Sequence, residues 1–77
     1  MNSLITLDQL QKGTQATIQS FEDEAIEEKM LEMGCLPGSI VELDRVAPLG
    51  DPIIISLADG NLALRKDEAR YINISLL

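Results

Sequence analysis

Val41-Glu42-Leu43-Asp44-Arg45-Val46, Ala47-Pro48-Leu49-Gly50-Asp51-Pro52, Ile53-Ile54-Ile55-Ser56-Leu57 and Ala58-Asp59-Gly60-Asn61-Leu62-Ala63-Leu64 follow one another as residues 41–64, and their reading decides the fold. Val41 and Leu43 alternate with Glu42 and Asp44, the period of two that sends apolar side chains to one face of a strand. The same alternation continues to Val46 and returns with Ile53, Ile55 and Leu57 facing inward. Asp59-Gly60 between two such runs is a strong signal for a tight hairpin, and Leu62 and Leu64 carry the return strand. Pro48 and Pro52 bound a stiff loop between the first two runs.

Upstream, Leu7-Asp8-Gln9-Leu10 reads as one helical turn, and Gly13 releases the chain into a strand with Ala16 and Ile18 inward. Glu22-Asp23-Glu24 then supplies negative charge to the first turn of a helix, where the dipole favours it. Ile26, Met30 and Met33 stand at i, i+4 and i+7, which predicts one buried face. Gly34 follows at the position where a helix often ends in φ > 0. Pro37-Gly38 then prevents continuation. Downstream, Lys66-Asp67-Glu68-Ala69-Arg70 reads as a short turn or a single helical turn. Ile72, Ile74 and Leu76 make a last inward face. The prediction is a mainly β fold in which one α-helix is inserted after the first of five short strands. An open, flat sheet of such strands would not enclose a core, whereas a small barrel would.

The 77 residues form a single domain, and their single cysteine and lack of histidine exclude a disulfide or a histidine-rich metal staple within the chain. Stability then rests on aliphatic packing, which a 45% hydrophobic content supplies. That cysteine usage fits a reducing compartment. Met1-Asn2-Ser3-Leu4 lacks the basic segment and apolar run of a secretory leader. No stretch approaches the roughly 20 apolar residues of a spanning helix. A soluble, cytoplasmic protein is expected. Thirteen acidic residues against six basic ones give a net charge of −7. Such a chain is a poor partner for phosphate backbones or anionic lipid, and tolerates a basic or neutral protein surface.

Chemistry is scarce. Nucleophilic catalysis needs a base beside the nucleophile, and no histidine is there to serve. Cys35 follows a helix C-terminus, whose negative end disfavours a thiolate, so it reads as a small apolar filler. Glu24, Glu28 and Glu32 share a helical face, but without a converging cage they read as a solvated surface whose repulsion Lys29 eases. The glycines form no phosphate cradle. Arg45, Arg65 and Arg70 sit on or beside strands, a poor position for an arginine finger. The expectation is no enzyme, no cofactor and no self-contained metal site.

Four segments carry a resemblance: Leu7-x-x-Leu10-x-x-Gly13 leading to Ala16, Met33-Gly34-Cys35-Leu36-Pro37-Gly38, Ala47-Pro48-Leu49-Gly50-Asp51-Pro52, and Leu62-Ala63-Leu64-Arg65-Lys66-Asp67-Glu68-Ala69. In this order and spacing, over residues 7–74, they resemble the ferrous iron transport protein A (FeoA) family. The resemblance implies an SH3-like barrel and a bacterial cytosolic protein that supports ferrous iron uptake. It also implies a partner, the FeoB transporter with its cytoplasmic GTP-binding domain. Alternatives from the residues are a self-associating barrel, that is a homodimer, and a metal-responsive sensor drawing ligands from Cys35 and the glutamates at a subunit interface.

The loop between the prolines has a physical case as a contact site. Pro48 fixes its entry, Gly50 permits φ > 0, and Asp51 is pushed toward an extended conformation by Pro52. Pre-organisation lowers the ordering cost of binding. Pro48, Leu49, Gly50, Asp51 and Pro52 are therefore expected to bind a partner with Leu49 at the tip as an apolar anchor; a Leu49 tucked over the barrel mouth is the alternative reading. Leu36, Pro37 and Gly38 are expected on the other side of the same shallow apolar groove.

Overall fold

The computed structural model describes residues 4–77; Met1, Asn2 and Ser3, read above for the absence of a leader, lie outside them. The described residues form six strands: β1 (Leu4–Thr6), β2 (Gln15–Phe21), β3 (Ile40–Val46), β4 (Ile53–Leu57), β5 (Gly60–Leu64) and β6 (Ile72–Leu76). They also form two helices, α1 (Glu24–Glu32) and α2 (Lys66–Ala69), and a 3-10 turn at Leu7–Gln9. The strands make one antiparallel sheet in the order β1-β6-β2-β3-β4-β5. The five expected strands are present with α1 after the first of them. A sixth, β1, pairs Leu4 with Ser75 and Thr6 with Asn73. Three residues are too few to display a period of two, so β1 carries no signature in the sequence.

The sheet bends where its two long strands are interrupted. Register shifts between Ile18 and Ser20 on β2 and between Leu43 and Arg45 on β3, leaving Gln19 and Asp44 as the extra residues of two bulges. A bulge increases local twist and bends its strand. Bent at both places, the sheet encloses the alternate residues of five strands: Ala16, Ile18, Val41, Leu43, Ile53, Ile55, Leu62, Leu64, Ile72 and Ile74 are all buried. Among the described residues no polar side chain is buried. The ladder ends at β1 and β5, which do not pair with each other.

Two strand-end side chains stay open to water, and for Leu76 this corrects an inward expectation. Val46 pairs with Ile53, so the Asp44 bulge returns it to the core side, yet at the mouth it stays 40% exposed. Leu76 pairs with Ala16 at the end of β6 and is 49% exposed. The β4–β5 hairpin forms as expected, but its two connecting residues are Ala58 and Asp59. Leu57 pairs with Gly60, which opens the return strand at φ +143.

The short helices are held by side chains at their starts. Gln9 Oε1 accepts from the Thr6 amide at 3.1 Å, and the Thr6 hydroxyl donates to Asp8. Glu68 Oε1 accepts from the Arg65 amide at 3.1 Å, the backward half of a capping box. Lys29 on α1 reaches Glu68 on α2 at 2.8 Å, tying the two helices together. That pairing replaces the expected one between Lys29 and the glutamates of its own helix. No described helix is long and apolar enough to cross a membrane.

Candidate functional site

The loop between the prolines is a built turn. The Gly50 amide donates to the Ala47 carbonyl at 2.8 Å, closing a turn over residues 47–50 with Pro48 at its second position. No non-glycine residue described has positive φ, so Leu49 at the third position excludes a type II turn. Gly50 takes φ +92, as its permissive backbone allows. The Ala47 amide donates to the Pro52 carbonyl at 3.0 Å, and the Asp51–Pro52 peptide is cis. Asp51 Oδ1 then accepts from the Lys66 amide at 2.9 Å, so the loop caps the first turn of α2 from outside. Leu49, at the tip, is 97% exposed. The leucine side chain thus stands in solvent on a braced turn.

The second expected segment is a turn of a different kind. Pro37 and Gly38 occupy the two central positions between Leu36 and Ser39, with Gly38 at φ +95 as a type II turn requires. The Ser39 amide donates to Leu36 O at 2.9 Å, and Ser39 Oγ accepts from the Leu36 amide at 3.0 Å. The turn is moored to β2 by Gly38 N donating to Ile18 O at 2.8 Å and by Ile18 N donating to Ser39 O at 2.9 Å. Leu36 is exposed.

These two segments do not flank one groove. The 36–39 turn precedes β3 and the 47–52 loop follows it, and the seven residues of that strand span roughly 20 Å. They stand at opposite ends of β3, in a molecule whose longest extent is 29 Å. A shared apolar groove between Leu49 and Leu36 is therefore corrected to two separate surfaces.

The 36–39 turn instead borders a cleft of about 530 Å³ between the end of α1 and the β4–β5 hairpin. Met33, Ile40, Val41 and Leu57 give it an apolar lining, and Glu42 and Asp59 bring carboxylates. The way α1 ends explains why Met33 is there. Asp23 caps the start, its carboxylate accepting from Ile26 N at 3.0 Å. At the other end, Gly34 N donates to Leu31 O at 3.0 Å and Cys35 N donates to Met30 O at 2.8 Å. With Gly34 at φ +82, these two bonds are a Schellman motif. The reversal turns Cys35 inward against Met30, both fully buried, and leaves Met33 51% exposed. The expectation of Met33 in the core is corrected: the helical period stops one residue before it. Glu22 likewise lies outside α1, donating its amide to Tyr71 O at 2.8 Å and accepting from Asn73 Nδ2 at 2.7 Å.

The residues weighed for chemistry are dispersed. Cys35 lies in the core, and burial pushes its thiol pKa up, away from a reactive thiolate. Glu24, Glu28 and Glu32 are exposed along α1 and cannot converge with it. Among the described residues no three metal-ligating side chains of His, Cys, Asp or Glu cluster. Arg45 bonds its neighbour Asp44 at 3.0 Å, and Arg70 lies over the Tyr71 ring at 5.3 Å. What the geometry offers is two apolar surfaces, each set by a glycine-dependent turn.

Comparison with known proteins places this fold. The FeoA domain family model matches residues 5–76. The Fe(2+) transport protein A/Fe(2+) transporter FeoB fusion protein of Porphyromonas gingivalis is 33% identical over 72 residues, 92% of this chain. The chain spans 8% of that protein's length. The structure of the FeoA-like protein from Clostridium acetobutylicum matches with a TM-score of 0.90 at 29% identity, covering 100% of this chain and 91% of that one. The zinc-complexed FeoA of Stenotrophomonas maltophilia, described as a prokaryotic SH3 domain protein, matches with a TM-score of 0.79 at 28% identity, covering 91% and 88%. The expected SH3-like architecture is thereby shown. Since the family model runs from within β1 to the end of β6 and takes in both turns, the chain belongs to the FeoA domain family.

Proposed function

We propose that this chain is an accessory and regulatory protein of ferrous iron uptake. It acts from the cytosol by contact with the GTP-binding cytoplasmic part of a FeoB-type transporter, and it catalyses no reaction itself. One observation carries the reading: in the Porphyromonas gingivalis relative an A-type unit and a FeoB transporter are fused as one protein. A covalent link holds two modules at high effective concentration, which makes even a weak contact persistent. The surface fits a contact role. Leu49 stands almost fully exposed on a loop fixed by three hydrogen bonds, so docking it costs little ordering entropy. The proposed contact residues are Pro48, Leu49, Gly50, Asp51 and Pro52 at one end of β3 and Leu36, Pro37 and Gly38 at the other.

Capture of the transporter's purified cytoplasmic domain, with GDP and with a non-hydrolysable GTP analogue, tests the reading. Capture that depends on the nucleotide is expected. Leu49→Asp should reduce it about tenfold or more, the scale of losing an apolar anchor, while leaving the thermal midpoint unchanged. No capture in any nucleotide state would overturn the reading.

A further inference from the structure

The cleft between α1 and the β4–β5 hairpin is built from four separated parts of the chain, and its character is unlike that of the Leu49 loop. Of its lining residues, Ile40 is 54% exposed and Met33 is 51% exposed. Two large apolar side chains half open to water in one concavity represent apolar area that a partner could bury. The Met33 thioether adapts to irregular shapes, which suits a surface that accepts a side chain. A volume of about 530 Å³ falls within the range of ligand-holding clefts, roughly 300–1,000 Å³.

Its charge has a single sign. Glu42 and Asp59 line it, and none of the lining residues described is Lys or Arg. Gln15 Nε2 donates to Glu42 Oε1 at 3.2 Å, which holds that carboxylate in place. The carbonyl end of α1 runs into the same wall at Met33 and Gly34, adding the negative pole of the helix dipole. Cations that come close to this rim gain from all three sources.

We propose that this cleft docks an aliphatic segment flanked by Lys or Arg residues, belonging to the partner protein of the preceding section, on whose reading this inference rests. The aliphatic side chain would lie against Ile40 and Met33, and its basic neighbours would face Glu42 and Asp59. A second copy of this chain is the poorer occupant, because with thirteen acidic residues against six basic ones it brings like charge to an acidic rim.

Binding of the transporter's cytoplasmic domain to the unaltered protein and to four variants decides the matter. Ile40→Asp and Met33→Asp should each weaken it about tenfold or more. Asp59→Lys, a change at an exposed hairpin residue, should weaken it several-fold and flatten its dependence on salt. Met33 lies outside the helix and Asp59 in a turn, so these variants remain informative if Ile40→Asp fails to fold. Leu49→Asp marks the other surface. If it weakens binding while all three cleft variants bind as the unaltered protein does, the cleft proposal is wrong and the transporter reading stands. If the unaltered protein does not bind in any nucleotide state, both fall. Self-association by sedimentation that Ile40→Asp abolishes would make a second copy the occupant and overturn the proposal.

Discussion

Gly34 governs the direction of the two side chains that follow and precede it. At φ +82 an L side chain is strained, and the Schellman bonds of Gly34 and Cys35 depend on that conformation. Gly34→Ala should cost about 1 kcal/mol or more, read as a lower denaturant midpoint at unchanged slope. Cys35, sealed against Met30, gives a chemical readout of the same turn. Because burial raises the thiol pKa, the folded state retains its proton where the unfolded chain has begun to lose it. The contribution of this group is therefore complete below the ordinary thiol value of about 8.5, and declines as pH climbs through the folded-state value. Labelling of Cys35 by a disulfide reagent at neutral pH should accordingly be slow in the native protein and follow global unfolding. Labelling as fast as that of a free thiol under native conditions would refute a buried Cys35.

The elements meet at α2, where three links converge. Asp51 receives the Lys66 amide, Glu68 receives the Arg65 amide, and Glu68 also receives the Lys29 ammonium from α1. The Lys29 hydrogen bond, followed by the Arg65 amide, holds the Glu68 carboxyl below its usual pKa. Stability from Glu68 is then present above the unfolded value of about 4.3 and is lost as pH falls through the lower folded one. Glu68→Gln should flatten the acid limb of a thermal-midpoint profile; an identical limb would show that Lys29 contributes nothing there. The turns, α1 and five strands are legible because each carries local chemistry: alternation, negative charge at a helix start, or glycine beside proline. β1 is not, since three residues show no period and its reason for existing is the edge of β6. Met33 continues the period of 3.6 but lies past the end of the helix, and periodicity does not announce where a helix stops. The cleft is illegible because Gln15, Met33, Ile40, Leu57 and Asp59 come from separate elements, and motif spacing gives no distance across a sheet. The same limit applies to Leu36 and Leu49, which β3 keeps apart.

At the scale of the whole molecule, the excess of carboxylates should make salt act on the fold and on the complex in opposite directions. Two ion pairs occur among the described residues. Asp44–Arg45 joins exposed chain neighbours, a class of pair worth little. Lys29–Glu68 is the other, and it also is partly exposed. Against these stand thirteen acids and six bases, so the larger screened term in the isolated protein is repulsion. Raising salt from about 10 mM to about 150 mM shortens the Debye length from about 30 Å to about 8 Å. The thermal midpoint should therefore rise, by about 4–8 °C for each kcal/mol of repulsion removed in a domain of this size. The acidic rim of the cleft responds the other way. If it steers a basic segment, the same salt increase should slow association with the transporter domain, with a smaller change in dissociation. A midpoint that falls with salt would mean that the ion pairs outweigh the repulsion. An association rate indifferent to salt would mean that the net charge of −7 plays no part in finding the partner.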